Sequence, residues 1–253
     1  MDGAAILLRK ELVEQWRSLR LPLTVVVFAL IGFASPLLAR FTPEILQAVG
    51  GSIIPIVLPK PTAADAIDQL AKNLTQLGAF VAILLASGAV AAEKDRGTVA
   101  LLLVRPVGRA GFLLAKIAAI GLTLAVSVLV AVAAAWFYTL VLFEPLSVPG
   151  TIAAGALDWL FLMAWAALAF LASTLTRSSL AAAGIGIVAL IAVGVLGIVP
   201  ALAAWLPFGL IGVGRALALG LDPPTVWTPI VGTALLITAC LGLAWLSFRR
   251  QEL

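Results

Sequence analysis

The sequence predicts an all-α integral membrane protein: a single domain over residues 1–253, with six transmembrane helices and both chain ends in the cytoplasm. Three observations carry that reading. The chain is 63% hydrophobic and 11% charged, with mean hydropathy +1.18, whereas soluble domains average about 45–50% apolar and about 25% charged residues. One soluble core in a chain of this length does not hide so much apolar surface. The apolar residues also fall in continuous runs, and a helix crossing the roughly 30 Å hydrocarbon layer needs about 20 of them. Finally, the basic residues gather in alternate loops, as topology demands of a multi-spanning chain.

The first element is an amphipathic helix within residues 1–20. Leu8, Leu12, Trp16 and Leu19 share one face at helical spacing, with Arg9, Lys10, Arg17 and Arg20 elsewhere around it. Such a helix is expected to lie in the headgroup plane; the plainer alternative is an ordinary cytoplasmic lead-in. The first apolar run starts near Leu21, behind Glu11 and Glu14, and no A-x-A cleavage site follows. It is therefore expected to be a retained span rather than a secretory signal. Pro22 marks a new helix start, with a bend before it.

The six spans are expected near Leu21–Ala39, Leu74–Ala92, Phe112–Phe143, Leu157–Leu175, Leu180–Val199 and Val226–Phe248. The third exceeds an upright span, so it tilts or projects. Ala181, Gly184 and Gly186 in the fifth suit close helix packing in lipid. Between spans one and two, Pro43, Pro55, Pro59 and Pro61 predict an irregular first half for residues 41–73. Thr62 then caps a helix with Asp65 and Asp68 in its early turns, and a stripe through Ala63, Ile67, Leu70, Leu74 and Leu77 runs into span two. Residues 200–225 are apolar but interrupted by Pro200, Pro207, Gly209, Gly212, Gly214 and Gly220. Short interfacial or re-entrant helices fit them better than a span; the alternative is a partly buried loop.

Orientation follows from lysine and arginine. With the N-terminus inside, 12 basic residues (Arg9, Lys10, Arg17, Arg20, Lys94, Arg96, Arg105, Arg109, Lys116, Arg177, Arg249 and Arg250) face the cytoplasm. Four (Arg40, Lys60, Lys72 and Arg215) face out. The acidic residues divide six and six, so the basic ones decide.

Several function classes are disfavoured. The net charge of +4 and pI near 9.7 do not form one basic stripe, so anionic headgroups are the expected partner and nucleic acid is not. Cys240 is the sole cysteine and histidine is absent, which disfavours an intrachain disulfide framework, a zinc site and histidine-based catalysis. No metal site is expected. Ser87, Ser173, Thr174 and Ser178 are the hydroxyl candidates for an intramembrane enzyme, but no base stands beside them in sequence. An ion-coupled secondary transporter needs ionisable residues inside the bundle; Lys116, Asp158 and Arg177 are expected near span ends. A non-transporting receptor or scaffold subunit stays open.

The most informative segment is Glu93 to Arg109, EKDRGTVALLLVRPVGR. Gly97 permits a sharp turn, Thr98 caps a short helix, Pro106 ends it and Gly108 returns the chain to the bilayer. Lys94, Arg96, Arg105 and Arg109 ring an apolar face containing Leu101, Leu102, Leu103 and Val104. A short helix of this kind is a docking element, or else a surface loop whose charges only enforce topology.

Glu-x-x-x-Gly-Thr, a short apolar helix and then Arg-Pro-x-x-Arg between spans two and three resembles the membrane subunits of ABC-2 type transporters. The ordered combination carries the resemblance: the RKEL helix, six spans, a broken outer segment and the terminal FRRQEL string. The layout is similar to permeases of copper-enzyme maturation and of sodium or drug efflux. The resemblance implies a permease subunit of an ATP-driven exporter, assembled from two membrane subunits and two ATPase subunits, with the path between the membrane subunits. Its ATPase-coupling interface is Glu93, Gly97, Thr98, Leu101, Leu102, Arg105, Pro106 and Arg109, beside a connecting helix bearing Arg9, Lys10, Glu11 and Trp16. No phosphate loop of the G-x-x-x-x-G-K-[ST] kind occurs, so this chain is expected to be non-catalytic and to bind no cofactor, with ATP and magnesium held by the partner. With Cys240, Met1 and Met163 and no histidine, it lacks the soft ligands that copper prefers. Spans two and five, with aromatic residues near their outer ends, would line an apolar path for a hydrophobic or amphipathic substrate.

Overall fold

The computed structural model describes residues 3–50, 60–97, 108–223 and 225–251. Among them every regular element is a helix. Six helices are long and apolar enough to cross a membrane: Arg20–Ala48, Ala63–Asp95, Arg109–Leu142, Val148–Leu175, Ser179–Leu196 and Trp227–Arg250. The protein is an all-helical, multi-pass membrane protein.

Helix α1 (Gly3–Arg17) stops at a break around Leu19, whose φ of 60° is unusual for a branched residue. Helix α2 (Arg20–Gly50) starts there, with Pro22 in its first turn. The bend expected before Pro22 is present, centred on Leu19. The irregular segment expected after Arg40 does not begin there: α2 continues through Pro36 and Pro43 to Gly50, while Pro55 and Pro59 lie outside the described residues. Each proline costs a backbone bond, but a hydroxyl stands next to each. Ser35 donates to Ile31 O at 2.6 Å and Thr42 to Leu38 O at 2.5 Å. These bonds engage the carbonyls next to Gly32 O and Ala39 O, the two that the prolines leave free, and membrane helices tolerate proline where neighbouring groups adjust in this way.

Helix α3 (Ala63–Asn73) begins where Thr62 predicts. The Thr62 N–H and hydroxyl both donate to the Asp65 carboxylate, at 2.7 and 2.8 Å. It runs through one wide turn at Leu74–Gly78, with i→i+5 bonding, into α4 (Ala79–Asp95). The stripe through Leu74 and Leu77 thus becomes one long helical rod. Helix α5 (Arg109–Leu142) is the longest at 34 residues, about 51 Å at the standard rise.

Helix α6 (Val148–Leu175) starts nine residues before the expected Leu157. The overlooked start is Ser147, whose hydroxyl accepts from the Gly150 N–H at 3.3 Å, with Pro149 in the first turn. Asp158 therefore lies about 15 Å inside the helix and is buried, correcting its placement near a span end. Helices α7 (Ser179–Leu196) and α10 (Trp227–Arg250) complete the spans. Between them, α8 (Pro200–Ala203) and α9 (Phe208–Ala218) form the broken segment.

Helix α6 is the centre, packed by α4, α5, α7, α9 and α10. Its alanines 164, 166, 167 and 169 admit close neighbours, and its Phe161, Trp165 and Phe170 fill the gaps. Phe208 of α9 completes an aromatic group, 5.4 Å from Phe161 and 5.7 Å from Trp165. So α9 begins beside the middle of α6 and runs out to its start. Gly186 packs against Ile83 and Ala169, whereas Gly184 meets nothing. At Gly32 of α2 the helices nearly touch: a Cβ there would lie 2.1 Å from the Ala131 carbonyl oxygen of α5. Only glycine allows that crossing.

Candidate coupling site

Helix α1 is amphipathic, but its polar side faces in. Glu11 and Gln15 are buried against α5, while Ile6, Val13, Trp16 and Leu19 are exposed. A soluble helix would do the reverse; apolar residues turned outward suit a lipid interface. Gln15 fixes the contact by accepting from the Thr123 hydroxyl at 2.5 Å.

The organising residue is Lys116, on the second turn of α5. It is 4% exposed, and its ammonium lies 3.0 Å from Glu11 of α1 and 2.7 Å from Glu93 at the end of α4. Lys10 adds a second cation, 3.0 Å from Glu11, 3.2 Å from Glu14 and 3.8 Å from Glu93. Burial by itself would push the Lys10 ammonium down. The hydrogen bond to Glu11 and the charges of Glu11, Glu14 and Glu93 outweigh it, so Lys10 titrates above its ordinary value. Burial alone would raise Glu14, yet the Lys10 charge and hydrogen bond, helped by Lys116 and Arg20, hold it below the usual carboxylate range. The carboxylates of Glu11, Glu14 and Glu93 come within 4.8 Å of one another. Two ammonium groups already pair with them, and a metal ion would have to displace these.

A second set of contacts ties the start of α5 to the end of α10. The Arg109 guanidinium donates to the carbonyls of Phe248, Arg249 and Gln251 at 3.4, 2.7 and 3.2 Å. A helix C-terminus leaves its last carbonyls short of internal partners; here Phe248 O accepts only a long bond, at 3.4 Å, from the Gln251 N–H. Phe112 stacks on Phe248 with centroids 5.7 Å apart. Lys94 donates to the Thr174 carbonyl, which also accepts from Gln251 at 2.9 Å. Gly97 closes α4 with φ +67°, a left-handed residue donating to Lys94 O at 3.1 Å.

Glu93, Gly97 and Arg109 thus frame the segment singled out in the sequence. Thr98, Leu101, Leu102, Arg105 and Pro106 lie outside the described residues. Of the connecting-helix residues, Glu11 and Lys10 join the charge cluster, while Arg9 and Trp16 are exposed. Helix α1, the end of α10, the end of α4 and the start of α5 thus meet at one end of the bundle. The serine and threonine candidates are engaged with backbone. Ser173 accepts from the N–H groups of Val90 and Ala91, Ser178 from that of Ala181, and Ser87 and Thr174 donate to carbonyls one turn back.

A family model described as ABC-2 family transporter protein matches residues 5–253. The chain belongs to the ABC-2 transporter family. It is also 30% identical over 208 residues to the uncharacterized transmembrane protein YxlG of Bacillus subtilis (strain 168), covering 79% of each chain. ABC-2 permeases are multi-pass membrane subunits, and the six apolar helices fit that description. Within this permease, sequence reasoning missed Lys116 as the hub. The signal was available: a lone lysine inside an apolar run must find a partner or reach the surface.

Proposed function

We propose that this chain is the permease subunit of an ATP-driven exporter, and that a separate ATPase docks on the end of the bundle where Lys116 joins α1, α4 and α5. The observation that carries the reading is the buried lock of Lys116 with Glu11 and Glu93. Glu93 is the last turn of α4, Arg109 the first residue of α5, and the loop between them is the segment resembling a coupling helix. A push on that loop reaches α4 and α5 directly, and reaches α1 through Lys116. It reaches α10 through Arg109. The loop residues Thr98, Leu101, Leu102, Arg105 and Pro106 would provide the docking surface, with Arg9, Lys10, Glu11 and Trp16 beside it. ATP and magnesium belong to the partner.

The basic residues assign this end to the cytoplasm. The outer faces of α7 and α10 are the least buried among the spans and would meet a second permease copy and lipid. Alternating access would follow from closure of the ATPases, with the family favouring export.

Co-purification with the ATPase encoded nearby tests the reading. Arg105→Glu is expected to abolish complex formation and ATP-driven transport while the permease still purifies folded. A complex of undiminished yield, with unchanged transport, would remove the docking assignment.

A further inference from the structure

A second polar site lies at the opposite end of the bundle, unrelated to the charge cluster. A cavity of about 40 Å³ is enclosed by α3, α5, α6 and α9, with Leu70, Trp136, Thr139, Thr151, Asp158 and Arg215 among its lining residues. That is room for two or three water-sized groups. Asp158 is 8% exposed, and no described residue donates a hydrogen bond to its carboxylate or pairs with it. The Trp136 indole N–H, also on this cavity, is buried without an acceptor. Buried polar groups are nearly always satisfied, so two on one cavity mark a place built for something else to fill.

The electrostatics select the sign of the occupant. Arg215 is the cation on the cavity wall, and Asp68 engages it through both carboxylate oxygens, with Nη2 to Oδ2 at 3.2 Å. Asp158 is left as the carboxyl group on this cavity without a cation beside it. A buried carboxyl group favours an ammonium, which it can hold by a charge-assisted hydrogen bond.

The surroundings select the rest of the molecule. Beside the cavity, an apolar groove of about 410 Å³ runs between α5 and α6, lined by Val128, Leu129, Ile152 and Trp159. Val132, Trp136 and Thr151 belong to both walls, so Trp136 stands at the junction. The groove opens sideways between two membrane-crossing helices, where lipid-borne molecules enter.

We infer that the groove and cavity together bind an amphiphilic amine, its chain between α5 and α6 and its ammonium against Asp158, with a water in the remaining cavity space accepting from the Trp136 N–H. As a substrate site this rests on the permease reading; as a binding site it does not.

The test uses the purified chain in lipid nanodiscs, without ATP or any ATPase. The probe is a long-chain alkylammonium carrying a diazirine at its chain end, and adducts are mapped by mass spectrometry. Saturable labelling is expected at Val128, Leu129 or Ile152, displaced by unlabelled alkylamine but not by the alcohol of equal chain length. Asp158→Asn should weaken it about tenfold, the loss of one charge-assisted contact. Asp158→Glu, which keeps the charge, should retain binding if the fold is intact. The proposal is overturned if Asp158→Asn binds like the parent, if the alcohol competes equally, or if adducts scatter over the lipid faces of α7 and α10. Loss of ATP-driven transport with this labelling intact would count against the permease reading alone.

Discussion

Lys116 and Glu93 meet at 2.7 Å in a site where the lysine side chain keeps 4% of its exposure. The same ammonium holds Glu11 at 3.0 Å. Replacing Lys116 by methionine keeps the volume but leaves two inward carboxylates without that cation. Breaking a buried pair costs about 3–5 kcal/mol, and the partial exposure of both glutamates places this site at the low end, about 3 kcal/mol. Thermal unfolding in detergent should show a lowered transition for Lys116→Met. Adding Glu11→Gln and Glu93→Gln should restore most of it. A single variant melting like the parent would show that the three charges are not coupled.

Arg109 makes a separate clamp. Three carbonyls at the end of α10 accept from one guanidinium nitrogen. Arg109→Ala returns them to solvent and should cost about 1–2 kcal/mol, since charged hydrogen bonds contribute more than neutral ones but this group is partly exposed. The more specific readout is local. Amide exchange should speed up in the last turn of α10 and stay unchanged at Phe161 to Phe170.

Much of this architecture was legible in the residues, for identifiable reasons. A span is announced by composition alone, and Thr62 with Asp65 is a local start signal, so those features survive from sequence to structure. What depends on partners distant in sequence does not. That α2 passes through Pro36 and Pro43 depends on the packed membrane environment, in which helical backbone is favoured over irregular chain. That Asp158 is interior depends on a start at Ser147. The inward turn of Glu11 and Gln15 depends on Lys116 and Thr123, which no helical wheel of α1 contains.

The α2–α5 crossing gives a steric prediction. A Cβ at Gly32 would stand 2.1 Å from a backbone oxygen, which no rotamer change relieves. Gly32→Ala must push the two helices apart, a strain of about 1–3 kcal/mol, and Gly32→Leu more. Melting temperature should fall in that order, with Gly184→Ala as a control, because a Cβ at Gly184 meets nothing.

The α1 attachment should be steady around neutral pH and weaken in acid. Glu14 titrates below its ordinary 4.5, so its contribution is complete above that value and fades as pH falls through the lowered one. Lys10 titrates above its ordinary 10.5, so its contribution is complete below that value and fades only at higher pH. A fluorophore at an Ile6→Cys position, in a Cys240→Ser chain, should report a steady α1 between these limits and release in acid. Both groups are largely accessible, so each effect is below about 1 kcal/mol. Release beginning at neutral pH would contradict the assignment.

The orientation itself is testable with the same cysteine-free background. Lys60 and Arg177 are exposed and stand at opposite ends of the bundle, Lys60 before α3 and Arg177 between α6 and α7. In whole cells, a membrane-impermeant maleimide should label Lys60→Cys at once and Arg177→Cys only after permeabilisation. The reasoning is electrostatic: eleven of the described basic residues belong to the end that holds Arg177 and four to the other, and translocating basic loops is disfavoured. The opposite pattern would place Lys116, Glu93 and the loop between α4 and α5 outside the cell, where no ATPase reaches them.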